Sequence, residues 1–303
     1  MKLDAAILKG SVERPAVIFI HGLGMGKEIW VDPAGARILG GWMPLRVLLK
    51  NDPDSGGNGE LRTLYHDLAA LGYTVIAWSQ SRPVGPAEAA LEELREMAGV
   101  AGEMGHKGII LIGHSRGGLV ARKYILDLNA NQKSQIKALI TLSAPHHGTG
   151  MARWAVYLSP FAAMLRPLLP EGRKRTLANG MRRIANFLES EAVRELLPDS
   201  DFLKSLSESP TEGLYALSAG GTNPALINAS GLFSIPGSIQ RLLPQSLLPE
   251  EMINGRGDGL VSQRSSVLPF ADEHLSFHVN HAEIVVDKKA RQEIIKRIRG
   301  LQP

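Results

Sequence analysis

The pentapeptide Gly113-His114-Ser115-Arg116-Gly117 constrains this chain more than any other stretch. The run Gly108-Ile109-Ile110-Leu111-Ile112 before it reads as a buried strand, and Leu119 to Leu126 after it reads as a helix. A strand that passes directly into a helix needs a sharp, strained reversal. Glycines at 113 and 117 leave room for the two elements to approach each other. The Ser115 hydroxyl then stands exposed at a helix N-terminus, where unsatisfied N–H groups and the helix dipole favour developing negative charge. This is the setting of a nucleophile elbow.

Around it, short β-rich runs alternate with helical patterns, which predicts an α/β fold with a mainly parallel central sheet flanked by helices. The expected strands are Ala16–Ile20, Thr74–Trp78, Ile109–Ile112, Ile136–Leu142, Leu214–Ser218 and Leu275–Val279. The expected helices are Arg62–Leu71, Pro86–Met104, Leu119–Leu128 and a terminal Ala282–Ile298. A chain of 303 residues has room for one such domain with insertions.

Residues 151 to 210 break the alternation and divide the chain into a first core part (1–150), a helical segment (151–210) and a second core part (211–303). Met151, Trp154, Ala155 and Leu158 fall at i, i+3, i+4, i+7, and Phe161, Met164, Leu165 and Leu168 repeat the spacing beyond Pro160. Two readings are open: helices packed on the core, or a lid whose apolar faces cover an acyl-binding cleft and meet a lipid surface. On the second reading Met151, Trp154 and Leu158 touch substrate. The cluster Arg166, Arg173, Lys174, Arg175, Arg182 and Arg183 reads as a solvated face, or on a lid as a surface for anionic head groups. Residues 221–257, with four prolines, form a second irregular stretch, too long for a plain connection and expected to help build the site.

A serine hydroxyl needs a histidine to take its proton and a carboxylate to orient that histidine. After an elbow serine, the acid and then the histidine follow along the chain. Asp258, set between Gly257 and Gly259, sits in a turn that can aim its carboxylate inward. A surface Asx-turn is the competing reading, and Asp199, Asp201, Asp272 and Glu273 are the other acids. His281 ends the run Leu275 to Asn280 and precedes the last helix, where a strand-to-helix loop would present it; His274 and His278 are its rivals. Val17-Ile18-Phe19-Ile20-His21-Gly22-Leu23-Gly24 is a strand entering a glycine-rich loop. The N–H groups of Leu23 and Arg116 are therefore the expected oxyanion donors, and His21 a loop-orienting side chain. The pair His146-His147 has no carboxylate or cysteine at ligand spacing, so neither metal nor cofactor is expected.

Composition excludes more than it assigns. The chain contains no cysteine, which removes disulfides, thiolate metal sites and a cysteine nucleophile. A formal net charge of +4, with no basic-aromatic motif, does not suggest nucleic acid as a partner. Met1 to Gly10 carries Asp4 and Lys9 and does not read as a secretory signal; with no apolar span, a cytoplasmic location is the expectation.

Five motifs occur in order: His21-Gly22-Leu23-Gly24, Gly113-His114-Ser115-Arg116-Gly117-Gly118, Ser143-Ala144-Pro145-His146-His147-Gly148-Thr149, Gly257-Asp258-Gly259-Leu260-Val261 and Asn280-His281-Ala282-Glu283-Ile284. The set resembles the bacterial triacylglycerol lipases of the α/β-hydrolase superfamily and the related proteins that include GPI inositol-deacylases. The resemblance covers residues 16–150 and 213–285. It implies an α/β-hydrolase fold, Ser115, Asp258 and His281 as nucleophile, acid and base, and Leu23 and Arg116 as oxyanion donors. It further implies an acyl ester or lipid substrate; transient contact with a membrane or lipid interface goes with the lid reading. Acyltransferase, thioesterase or amidase chemistry on the same residues, or lipid binding without catalysis, are the alternatives. The chain departs from those lipases in that its first residues do not read as an export signal and it has no cysteine for a disulfide. Many of them bind calcium through aspartates, yet no Asp or Glu lies between Gly220 and Pro249.

Overall fold

A computed structural model of the protein describes residues 3–38, 43–49, 61–153, 186–206, 212–225 and 249–301. Its seven-stranded sheet comprises β1 (Asp4–Leu8), β2 (Ala16–Ile20), β3 (Val75–Ser79), β4 (Ile109–His114), β5 (Ile136–Leu142), β6 (Tyr215–Gly221) and β7 (Glu273–Phe277). The strand order is β1-β3-β2-β4-β5-β6-β7. Every pairing is parallel except that of β1, which runs antiparallel to β3. The longer helices are α1 (Leu64–Ala70), α2 (Ala87–Glu103), α3 (Arg116–Asp127) and α4 (Lys288–Gly300).

The central strands read as unbroken apolar runs because both of their faces are covered. Successive side chains alternate between faces. Val17, Phe19, Ile110, Ile112 and Ile140 pack with Leu64, Leu68, Ile294 and Ile298 of α1 and α4. Ile18, Ile20, Leu111 and Leu139 pack on the opposite side with Leu91, Leu94, Val120 and Tyr124 of α2 and α3.

The register brings the strand ends level. Ile20 pairs with Gly113, His114 with Leu142, Leu142 with Ala219, and Gly221 with Phe277. The residues that follow these positions leave the sheet along one edge, the carboxyl edge where open α/β sheets bind ligands.

Several elements differ from the sequence reading. β1 was not foreseen: it is an edge strand with half-exposed residues, so it lacks the apolar signature of its neighbours. The expected helix Ala282–Ile298 is two pieces, a 3-10 turn at Glu283–Val285 and then α4. The break is at Asp287, whose carboxylate accepts the Ala290 N–H at 2.7 Å and caps α4. Strand β7 also begins two residues earlier than expected.

Residues 186–206 contain short helices at Glu191–Arg194 and Asp201–Lys204, capped by Ser190 and Ser200. Val193, Leu196, Leu203 and Leu206 cluster with Leu119 of α3 and with Ala152. Met151 is half-buried in a helical turn. Trp154, Leu158, the second apolar stripe, the basic cluster from Arg166 to Arg183 and most of the 221–257 stretch lie outside the described residues. Among the described residues no helix is long and apolar enough to cross a membrane.

Replacing Asp287 by alanine removes the α4 cap. It should lower stability by about 0.5–2 kcal/mol, read as a shift in the urea midpoint at unchanged slope.

Candidate active site

Ser115 is the N-cap of α3 and has φ 54° and ψ −130°. Only two described non-glycine residues have positive φ, Ser115 and Ser143. Such a conformation costs on the order of 1–3 kcal/mol and persists only where the surroundings enforce it. Here the enforcement is contact between backbones. A Cβ at Gly117 would collide with the carbonyl oxygens of Ile20 and His21, and one at Gly113 would lie 2.5 Å from Gly118 Cα. The first turn of α3 is therefore pressed against the ends of β2 and β4. The Ser115 N–H is held by Leu142 O at 2.8 Å, and Ser115 O accepts from Gly118 N–H at 3.0 Å.

Asp258 and His281 meet directly. His281 Nδ1 lies 2.9 Å from Asp258 Oδ2, and the His281 N–H donates to Asp258 O at 3.0 Å. The other carboxylate oxygen accepts the N–H groups of Leu260 at 3.0 Å and Val261 at 2.8 Å, the turn that the flanking glycines predicted. Burial pushes the Asp258 carboxyl up. His281 beside it, with hydrogen bonding from His281 and the Val261 N–H, outweighs that and holds it below the usual carboxylate value. With an ionised carboxylate as acceptor, the His281 proton sits on Nδ1, leaving the Nε2 lone pair bare. Among the described residues Ser115 Oγ forms no hydrogen bond.

The glycine-rich loop after β2 lies against the elbow: a Cβ on Gly22 would come 2.9 Å from Ser115 Cβ. His21 orients this loop. Its Nε2 accepts the Gln80 N–H at 3.0 Å, so Nδ1 carries the proton and donates to Gly22 O at 2.9 Å. Among the described residues neither the Leu23 nor the Arg116 amide has a protein acceptor.

The Arg116 side chain, whose role the sequence left open, is buried and ion-paired with Glu195 at 2.7 Å; it also donates to Gly85 O at 2.8 Å. Glu195 Oε1 accepts the Ala87 N–H at 2.7 Å. Glu195 carries no motif that could have announced it. Glu251 was equally silent; it is buried and accepts from Thr149 Oγ1 and from the Gly150 N–H at 2.7 Å. Ser143, fully buried beside Asp258 at the end of β5, was visible only as the start of a motif.

The rival residues go elsewhere. His274 bonds Ser218 Oγ at 2.9 Å, and His278 is exposed. Asp272 accepts the Ala216 N–H, Glu273 pairs with Arg297, and Asp199 and Asp201 lie near Arg153 and Lys204. His146 is buried against Thr141 Oγ1 at 3.0 Å, whereas the adjacent His147 is exposed. Among the described residues no group of three or more His, Asp or Glu could hold a metal ion.

Burial lowers His21 to about 4 and His114 to about 3, and it holds His146 well below its ordinary value. The unfolded chain protonates these groups near pH 6.5, before the folded chain does. Their contribution is therefore neutral above that pH, and stability falls as pH drops through about 6.5 towards the folded values. The lowered Asp258 carboxyl adds a further loss below the ordinary carboxylate range. The urea midpoint should decline steadily from pH 6.5 to pH 4; a flat midpoint across that window contradicts the assignment.

Several solved structures share this architecture. The mature lipase BlEst2 of Bacillus licheniformis superposes with a TM-score of 0.53 at 15% identity, over 97% of this chain and 97% of that one. The propeptide form gives 0.57 at 16% identity, over 99% of this chain and 54% of the longer one. The esterase EaEST of Exiguobacterium antarcticum gives 0.51 at 12% identity, over 97% and 94%. These likenesses concern the fold. No curated protein matches the chain. Residues 17–276 match the model of the alpha/beta hydrolase family, the span from β2 through most of β7 that carries Ser115 and Asp258; the chain belongs to that family.

Proposed function

We propose that this protein is a serine carboxylester hydrolase that cleaves acyl esters through an acyl-serine intermediate. The observation that carries the proposal is the buried 2.9 Å contact between His281 Nδ1 and Asp258 Oδ2 at the sheet edge where Ser115 adopts its strained backbone. Asp258 holds the imidazole with Nε2 bare, and Nε2 takes the Ser115 proton. Ser115 Oγ bonds to the ester carbonyl carbon as the carbonyl electron pair moves onto oxygen. The Leu23 and Arg116 N–H groups stabilise that oxyanion; losing one such donor costs about a hundred- to a thousandfold in rate. Collapse breaks the bond to the alcohol, which leaves with the proton from His281. Water, deprotonated by the same imidazole, then releases the acid and restores Ser115.

Residues 151–210 act as a cap inserted between two core parts, 1–150 and 211–303. Met151, Trp154 and Leu158 contact the acyl chain on this reading, and the cap meets a lipid surface only transiently. The support is the periodic apolar spacing, together with the names of the structural neighbours, one a lipase and one an esterase. Medium or long acyl chains are the preferred substrates.

Ser115→Ala should abolish fluorophosphonate labelling and reduce ester hydrolysis to background. Asp258→Asn should leave the fold intact and lower kcat by roughly 10⁴, because the imidazole loses the carboxylate that sets its tautomer. On a p-nitrophenyl ester panel, kcat/KM should rise from acetate towards octanoate or longer; a steady fall with chain length would overturn the acyl-chain assignment.

A further inference from the structure

We infer that His114 is a positioning residue for the base: its Nε2–H holds the His281 carbonyl and fixes where that imidazole stands. The inference rests on the ester-hydrolase reading for its kinetic consequence alone.

His114 precedes the nucleophile and is fully buried. Its Nε2 lies 2.9 Å from His281 O, across 167 residues of sequence. A carbonyl only accepts, so Nε2 carries the proton. The two imidazole rings also touch, with centroids 4.9 Å apart, and Trp30 closes the other side of His114 edge-on at 6.5 Å. Gly22 packs on the same ring: a Cβ there would be 3.2 Å from His114 Nδ1. His114 is thus wedged between the oxyanion loop and the base loop.

The other bonds of His281, through its N–H and its Nδ1, both run to Asp258. The residues on either side are anchored separately: Asn280 Nδ2 donates to Leu48 O and Ala225 O, and Asn280 Oδ1 accepts the Ala282 and Glu283 N–H groups. The bond from His114 is the one that ties the His281 peptide itself to the strand carrying Ser115, so base and nucleophile share one rigid element.

The chemistry of the ring points the same way. His114 Nδ1 is buried with no hydrogen-bond partner. An apolar ring would fill the space without that penalty; what imidazole adds is the single N–H aimed at His281. Burial, opposed by Asp258 but reinforced by His281 and His21, lowers His114 to about 3. The ring therefore stays neutral, and the donor stays on Nε2, across the working range of an esterase.

The test uses three variants of the full chain. His114→Phe and His114→Met remove the donor, while His114→Gln returns an amide N–H near the same place. Each is checked for folding by circular dichroism, then assayed for kcat and KM on a soluble ester and for the low-field Nδ1 proton of His281 by proton NMR. The expected result is a fall in kcat of about 10- to 100-fold for Phe and Met at nearly unchanged KM, the loss that a small misplacement of a reacting group produces. Gln should recover most of kcat. The low-field resonance should survive in wild type and Gln and broaden away in Phe and Met. Phe or Met with wild-type kcat and an unchanged resonance overturns the inference, as does a folded Gln variant as impaired as Phe. If the Phe variant does not fold, the comparison of Met with Gln decides. Wild-type protein that hydrolyses no ester, yet shows the resonance responding as described, refutes the hydrolase reading and leaves the positioning role standing.

Discussion

The close approach of α3 to the ends of β2 and β4 is the constraint from which the site follows. Backbone meets backbone there, with no space for a side chain at Gly113 or Gly117. A helix pressed that tightly against the sheet cannot be reached from β4 by a relaxed turn, so Ser115 takes a left-handed conformation. The same geometry leaves the Arg116 amide at the helix start without an acceptor and sets it beside the loop carrying Leu23. The strain at Ser115 and a helix-start amide without a protein acceptor are consequences of a single packing event.

The rest of the site is held by polar groups that are buried and mostly satisfied. His21 spends both ring nitrogens on backbone, and Asp258 has both oxygens occupied. Groups of this kind must be neutral or paired to be buried at all. The lowered values of His21 and His114 and the lowered Asp258 carboxyl are one electrostatic pattern: rings kept uncharged around one retained anion.

Much of this was legible in the sequence, for specific reasons. β2 and β5 match their expected limits because strands covered on both faces are apolar throughout. Gly113 to Gly117 and Gly257 to Gly259 stood out because tight turns need glycine. His281 was separable from His274 and His278 by its place between a strand and a helix. Edge strand β1 was hidden by its half-exposed residues, and the start of β7 was misjudged because the strand opens on the charged Glu273, which is tied to Arg297. Glu195 and Glu251 had no local signature. Their meaning depends on partners 79 and about a hundred residues away, which only the folded chain brings near.

The pair between Arg116 and Glu195 has a mechanical corollary. It fastens residues 186–206 to the residue that follows Ser115, through a guanidinium almost wholly withdrawn from solvent. Pulling this stretch outward would strand a desolvated cation at the start of α3, a penalty of about 3–5 kcal/mol when such a pair is broken. Thermal agitation supplies far less than that. The stretch therefore serves as a fixed abutment, and its attachment doubles as a brace for the first residue of α3.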